Sequence, residues 1–497
     1  MFRPINGMRG AIMVWLISYI FFLLTLANNF SASHDSINYL NAIVKGEHLF
    51  HPHHLLYHYY AHIWLLLFKI IFPAVADHYI IESFTAIWGS AILAICYLFY
   101  RNRFNLTPGM SALSVTLIGF SYGTWFYSVN IEVYTPPIFF ILCSLYIITK
   151  KEIAAADIWK VAILQSFAIL FHQINILFTI VVIYWFLMNR NKIKVASSLL
   201  KYAVLGLILT GGLYIICGAV YEQKTTVNAF TGWILGYTRG HSYWQTLSLH
   251  TPVSVLAGFS RAFIGAHFIF QHPALEHLLN NSFRSHGLRD EIFLSSALTS
   301  VVTWVLTFIT ALFILCMIIM VFRFIKYYRK MDLHFFVINP LLLTILVYSI
   351  FFCFWMPEIL EFWILQMVLV WLLLAGMLPA FNFPFNIVPL KVIFIISISL
   401  FLVNFFGSIR WLQKSTSDWY YVEVKKLDTR LTADDIIVVE NEWILKDYVR
   451  YFSKATVIAT DELDYNRGVI QKLVKNAVLQ NHQVILYREG WQPIRSY

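Results

Sequence analysis

The chain repeatedly carries runs of roughly 20 apolar residues, the length of helix that crosses the hydrocarbon core of a bilayer. Candidate spans cover residues 8–28, 79–100, 109–129, 134–149, 158–171, 174–188, 197–220, 295–322, 334–354, 362–380 and 389–409. In hydrocarbon every backbone N–H and C=O must be paired internally, so such runs fold as helices. Hydrophobic residues make up 59% of the chain and charged residues 12%, too little charge for a soluble domain. The expected fold class is an all-α polytopic membrane protein. The formal net charge of +10 does not imply a nucleic-acid partner, because basic residues of membrane proteins gather in cytoplasmic loops.

Residues 54–72 are long enough to span, yet His54, His58, His62 and Lys69 fall near one helical face. That pattern suits a helix lying in the membrane interface. If it lies flat, Arg3 and Arg9, Arg101 and Arg103, Lys150 and Lys151, the 190–194 cluster and the 323–330 cluster share one side. The basic-loop rule then places that side in the cytoplasm and gives about 11 spans. The first span reads as a retained anchor. Residues 1–410 are expected to form the membrane domain, with outer loops at 29–78 and 221–294. Residues 411–497 alternate strand-like and helix-like segments, which predicts a small extracytoplasmic α/β domain with a parallel sheet. Cys96, Cys143, Cys217, Cys316 and Cys353 sit in apolar stretches and lack metal-site spacing.

With this topology the outer loops carry the acids and histidines. Asp35 follows the first span by a few residues, at headgroup depth. There it is a candidate general base for an acceptor hydroxyl attacking a sugar carbon; the plain alternative is a cap on helix 36–45. Glu132 lies in Tyr127-Ser128-Val129-Asn130-Ile131-Glu132-Val133-Tyr134 at the outer end of a span. It is either a carboxylate that orients acceptor or base, or a solvated first-turn acid. His51, His53 and His54 surround Pro52. As imidazolium groups they suit a lipid phosphate; zinc binding by His51, His54, His58 and His62, or a polar face among headgroups, are the alternatives. The long outer loop adds Arg239 and Arg261 as phosphate contacts or headgroup anchors. Glu358 and Glu361 read as helix-start acids.

Four motifs resemble the GT-C class of integral-membrane glycosyltransferases, in particular its protein O-mannosyltransferase-like and lipid A aminoarabinose transferase-like branches. They are Asp35-Ser36, His51-Pro52-His53-His54-Leu55-Leu56-Tyr57 before an interfacial jaw helix, Glu132-Val133-Tyr134, and Phe171-His172-Gln173 between two spans. The turn carries histidines where aminoarabinose transferases carry a lysine. The resemblance implies a glycosyltransferase that takes a sugar from a polyprenyl- or dolichyl-phosphate donor by inverting displacement. Asp35 would be the base, Glu132 its partner, and the histidines with Arg239 and Arg261 the phosphate site. Tyr57, Tyr134, His172 and Gln173 would line the substrate cavity. Expected partners are the lipid-phosphate sugar, membrane lipids, and a protein, polysaccharide or glycolipid acceptor. No metal or other cofactor is expected. The rival reading is a transporter or lipid flippase, which would want ionisable groups at the bilayer midplane and repeated halves. A bacterial inner membrane is the expected location.

Overall fold

The computed structural model describes residues 7–236, 243–273, 289–328, 334–380, 389–428, 431–440, 443–463 and 467–488. The chain is mostly helical, and its helices follow the apolar runs. The first nine are α1 (Met8–Leu23), α2 (Ser36–Lys45), α3 (Tyr57–Ile71), α4 (Asp77–Asn102), α5 (Pro108–Gly119), α6 (Tyr122–Val129), α7 (Thr135–Ile148), α8 (Ala155–Phe171) and α9 (Thr179–Met188). Their ends are written locally. Thr107 accepts a hydrogen bond from the Met110 N–H at 3.3 Å, ahead of Pro108 at the first helical position. At α4 an acid opens the first turn and Arg101 closes the last, as the helix dipole favours.

Among the described residues, five helices are long and apolar enough to cross a membrane: Asp77–Asn102, Val195–Tyr221, Ser300–Tyr327, Leu360–Ala380 and Pro389–Leu412. Shorter apolar helices stand among them. Burial separates post from shell. The Leu360–Ala380 helix has 89% of its most apolar stretch buried, whereas Val195–Tyr221 and Ser300–Tyr327 have 17% each. The outer two expose rows of Leu, Ile, Val and Phe, such as Leu207, Ile215 and Phe308, which need hydrocarbon around them. The central helix buries Trp371 and Met367 completely. Gly89 lets α4 and α6 meet, because a Cβ there would overlap the Ser128 side chain.

The segment 54–72 forms a 3₁₀ turn at Pro52–His54 followed by α3. At about 1.5 Å per residue, 15 residues reach about 22 Å, short of the ~30 Å hydrocarbon core. Its histidine face is not in headgroups. His54 and His58 are buried, and His62 Nδ1 bonds the Ile43 carbonyl at 2.6 Å, while Leu66, Leu67, Ile70 and Ile71 are exposed. The polar stripe thus packs inward against α2 and the greasy stripe faces out.

The C-terminal part has three parallel strands, β1 (Ile436–Glu440), β2 (Thr456–Ala459) and β3 (Val484–Arg488), in the order β2-β1-β3. Helices Trp443–Phe452 and Arg467–Leu479 make the crossovers, as parallel pairing requires. This part docks on α2 through a shared apolar cluster that includes Ile37, Leu40, Val424, Leu445 and Tyr448. Asp418 pins the junction. Its carboxylate accepts from the Phe30 N–H at 2.9 Å, the Tyr448 hydroxyl at 2.6 Å and the Tyr421 N–H at 3.0 Å. Asp418→Ala leaves buried donors unpaired at about 1–3 kcal/mol each. The expected result is a melting temperature several degrees lower and faster proteolysis of the C-terminal part, read by thermal unfolding and limited digestion in detergent; wild-type values would deny the carboxylate this role.

Candidate active site

A cavity of about 1160 Å³ lies where α2, the 46–54 turn, the α6–α7 loop, the α8–α9 break, the start of the Leu360–Ala380 helix and the C-terminal part converge. That is ample for a lipid-phosphate headgroup with a sugar. Asp35, Asn38, Tyr39, Asn41 and Lys45 line it from α2. His48, His51, His53, His54 and His58 follow from the turn and α3. Tyr134, His172, Gln173 and Glu361 come from three other segments, and Asp447, Arg450 and Glu462 from the C-terminal part. One wall is aromatic, with Trp244 packed edge-on to Trp355 at 4.9 Å and to Phe351 at 5.6 Å.

Asp35 occupies the N-cap position of α2, but its side chain makes no capping hydrogen bond. Ser33 takes that role by accepting from the Ser36 N–H at 3.3 Å. The Asp35 carboxylate is left facing the cavity with one long contact, from the Tyr39 hydroxyl at 3.4 Å. Burial raises its proton affinity, and the neighbouring His34 opposes that.

Glu132 is brought close by a tie between two segments, since the Ser36 hydroxyl donates to the Ile131 carbonyl at 3.0 Å. The Glu132 side chain is 1% exposed, and neither carboxylate oxygen has a partner at hydrogen-bonding geometry. Burial pushes its carboxyl well above the usual range; repulsion from Glu361 and then Asp35 adds to this, while the nearby Val133 N–H and Ser33 hydroxyl oppose it. Glu132 is not in the cavity lining itself; its neighbours Val133 and Tyr134 are.

Glu361 is the acid that sequence reasoning passed over as a helix-start residue. It lines the cavity and accepts from the Tyr127 hydroxyl at 3.0 Å and the Tyr134 hydroxyl at 2.5 Å. The available signal was its place beside Tyr127 and Tyr134 on the same outer side, at the mouth of an apolar run.

The histidines stack. His51 and His54 lie 4.5 Å apart at 20°, and His58 meets His54 at 4.7 Å. Tyr214 holds the turn by donating to the Pro52 carbonyl at 2.6 Å. Burial lowers His51 to about 4 and His53 to about 3, and takes His54 well below its ordinary value. Burial therefore disfavours the imidazolium form of these rings in the unliganded protein. His51 Nδ1 and His54 Nδ1 are buried and have no protein hydrogen-bond partner. His172 packs on Tyr134 at 5.2 Å, and Gln173 beside it lines the cavity.

Two of the expected site residues stand outside the cavity lining, and a third lies outside the described residues. Tyr57 is fully buried, bonded to Thr85 Oγ1 at 2.8 Å, and stands outside the lining. Arg261 is neutralised by Glu291 and also lies outside it. Arg239 lies outside the described residues. Among the described residues, the cations in the lining are Lys45 and Arg450. Arg450 is tied to Asp447 and Glu462, whereas Lys45 has no carboxylate within 4.0 Å. Lys45 was not among the residues expected at the site. For zinc, no three His, Cys, Asp or Glu side chains among the described residues are grouped to hold an ion.

The Glu132 environment makes a signed prediction. A carboxyl whose proton affinity rises on folding stabilises the fold below its unfolded pKa and loses that contribution as pH climbs through the folded value. Glu132→Gln removes the titration. Its melting temperature should match wild type near pH 5 and exceed it by a few degrees at pH 8; parallel curves across that range would contradict the burial argument.

No protein-family model matches the chain, and a search of curated proteins finds no match. Solved structures do match. ArnT from Cupriavidus metallidurans bound to undecaprenyl phosphate is 10% identical, with 96% of this chain and 91% of that one covered at a TM-score of 0.57. The apo form of the same ArnT is 11% identical over 96% and 92%, at 0.47. The archaeal oligosaccharyltransferase AglB from Archaeoglobus fulgidus, in complex with an inhibitory peptide and a dolichol-phosphate, is 12% identical over 96% and 69%, at 0.44. Over 96% of its length this chain is therefore similar in fold to ArnT.

Proposed function

We propose that this protein is a membrane glycosyltransferase that moves a sugar from a polyprenyl-phosphate or dolichyl-phosphate donor to a hydroxyl acceptor. The observation that carries the reading is a cavity where Asp35, whose side chain makes no capping hydrogen bond, shares the lining with His51, His54 and the unpaired Lys45. The ArnT structure that shares the fold holds undecaprenyl phosphate, which supports the donor class. Eleven spans, a cytoplasmic N-terminus and an extracytoplasmic site complete the topology. The outer loops are then 29–78 and 221–294, and residues 411–497 cap the outer face.

In this reading the isoprenoid runs along the Trp244, Phe351 and Trp355 wall. Its phosphate accepts hydrogen bonds from His51 and His54 and pairs with the Lys45 ammonium. The acceptor enters along Asn38, Asn41 and the Asp447 wall. The acceptor oxygen attacks the anomeric carbon from the face opposite the phosphate. The bond from that carbon to the phosphate oxygen breaks, its electron pair leaves with the lipid phosphate, and Asp35 takes the acceptor's proton. Configuration at the carbon inverts. Glu132 stays protonated and orients the acceptor or the base, and Glu361 is held by its two tyrosines. Donors preset at the leaving oxygen lower the barrier without reorganising, and closed apolar walls keep water from competing for the sugar.

The test uses protein in nanodiscs with a panel of radiolabelled polyprenyl-phosphate sugars and cell-envelope acceptors. Asp35→Asn should lose at least about 10²–10⁴ in turnover while keeping its melting temperature and its binding of undecaprenyl phosphate. Lys45→Met should weaken that binding about tenfold, a typical loss for a hydrogen bond to a charged group. Wild-type turnover by Asp35→Asn would remove Asp35 as base, and unchanged lipid-phosphate affinity in Lys45→Met would move the phosphate elsewhere.

A further inference from the structure

A base of this kind faces a difficulty. Asp35 is embedded beside two other acids, Glu132 and Glu361, with Asp447 on a third side. Burial and the Asp447 charge disfavour the ionised carboxylate that proton abstraction requires, and Tyr39 contributes only a 3.4 Å contact. The one cation of the cavity lining without a carboxylate partner, Lys45, sits at the far end of α2, nearly three turns from Asp35.

The neighbouring residue, His34, has the right surroundings to help. Its Nε2 lies 3.2 Å from the Asp290 carboxylate, which is itself 5% exposed. Glu291 is beside it on the same short helix. The backbone at His34 has φ 56° and ψ −48°, a conformation that L-residues with a branched or bulky side chain rarely adopt. A hydrogen bond from its N–H to the Ser31 carbonyl at 3.2 Å fixes that turn. The chain therefore keeps a strained histidine immediately before the acid, paired with a buried carboxylate from a segment more than 250 residues away.

We infer that His34, held as an imidazolium by Asp290, is the counter-cation that keeps Asp35 ionised and so able to act as base. It is a positioning residue, since it touches neither donor nor acceptor and works through Asp35. Burial disfavours its charge, but Asp290 outweighs this, with Asp35 and Glu291 adding to the same effect, so that its proton affinity ends above the ordinary histidine value. This inference rests on the assignment of Asp35 as base.

The experiment needs no sugar donor and so can fail separately from that assignment. Dicyclohexylcarbodiimide modifies carboxyls that carry a proton, and peptide mass spectrometry reads modification at Asp35 against pH. In the wild-type full-length protein, labelling at Asp35 should fall away before pH 7. His34→Asn keeps a residue that tolerates positive φ and removes the charge. Its labelling curve should move up by about one pH unit, a tenfold rise in the protonated fraction at fixed pH. Asp290→Asn should shift the curve in the same direction, and the double variant no further than His34→Asn alone. Strong labelling of wild-type Asp35 at pH 7.5, or a folded His34→Asn or Asp290→Asn protein whose curve overlays wild type, would overturn the inference.

Discussion

Three carboxylates share one poorly hydrated site, and the rest of the structure has to accommodate their mutual repulsion. Like charges repel strongly where water is excluded, and repulsion from Glu361 and Asp35 adds to burial in raising the proton affinity of Glu132, as Asp35 does for Glu361. Their surroundings separate them. Glu132 is buried with no partner at hydrogen-bonding geometry, and burial raises its proton affinity. Glu361 is gripped by two tyrosine hydroxyls. Asp35 opens to the cavity next to a histidine that is itself paired with an acid. Acids whose environments push their proton affinities apart take different tasks in one reaction.

Holding such a cluster in place needs rigid supports on every side. The Leu360–Ala380 helix is the most deeply buried span and carries Glu361 at its mouth. The α6–α7 loop is tied to the first turn of α2 through Ser36 and Ile131. The C-terminal part grips the first half of α2, where Asn38 donates to the Asp447 carboxylate at 3.1 Å and Asn41 to the Asp447 carbonyl at 3.0 Å. That part also supplies a cavity wall, which explains why a small soluble α/β unit belongs on a membrane-embedded scaffold.

Much of this was legible in the linear chain. Apolar runs mark the helices because hydrocarbon leaves the backbone no other choice. The C-terminal strands and crossovers follow from short β-branched runs such as Ile436-Ile437-Val438-Val439 alternating with amphipathic helices. What pattern alone misses is direction and pairing. The histidine stripe of α3 has the spacing of an interfacial face, yet it packs inward, with His54 and His58 buried and His62 bonded to the Ile43 carbonyl. Arg261 looked free until Glu291 appeared beside it. Tyr57 follows the motif turn but points its hydroxyl to Thr85. Glu361 needed Tyr127 and Tyr134 from another span, and His34 needed Asp290, contacts across more than 200 residues that no local rule reveals.

The central claim is that a lipid phosphate docks beside the histidine turn with Asp35 facing it across the cavity. A cryo-EM map of the protein in nanodiscs, with undecaprenyl phosphate added, measures this directly. The expected density places the phosphate about 3 Å from His51, His54 or Lys45 nitrogens, the range of a hydrogen bond, with the tail against Trp244 and Trp355. A phosphate bound elsewhere, or Asp35 sealed off from it by packed side chains, would contradict the mechanism.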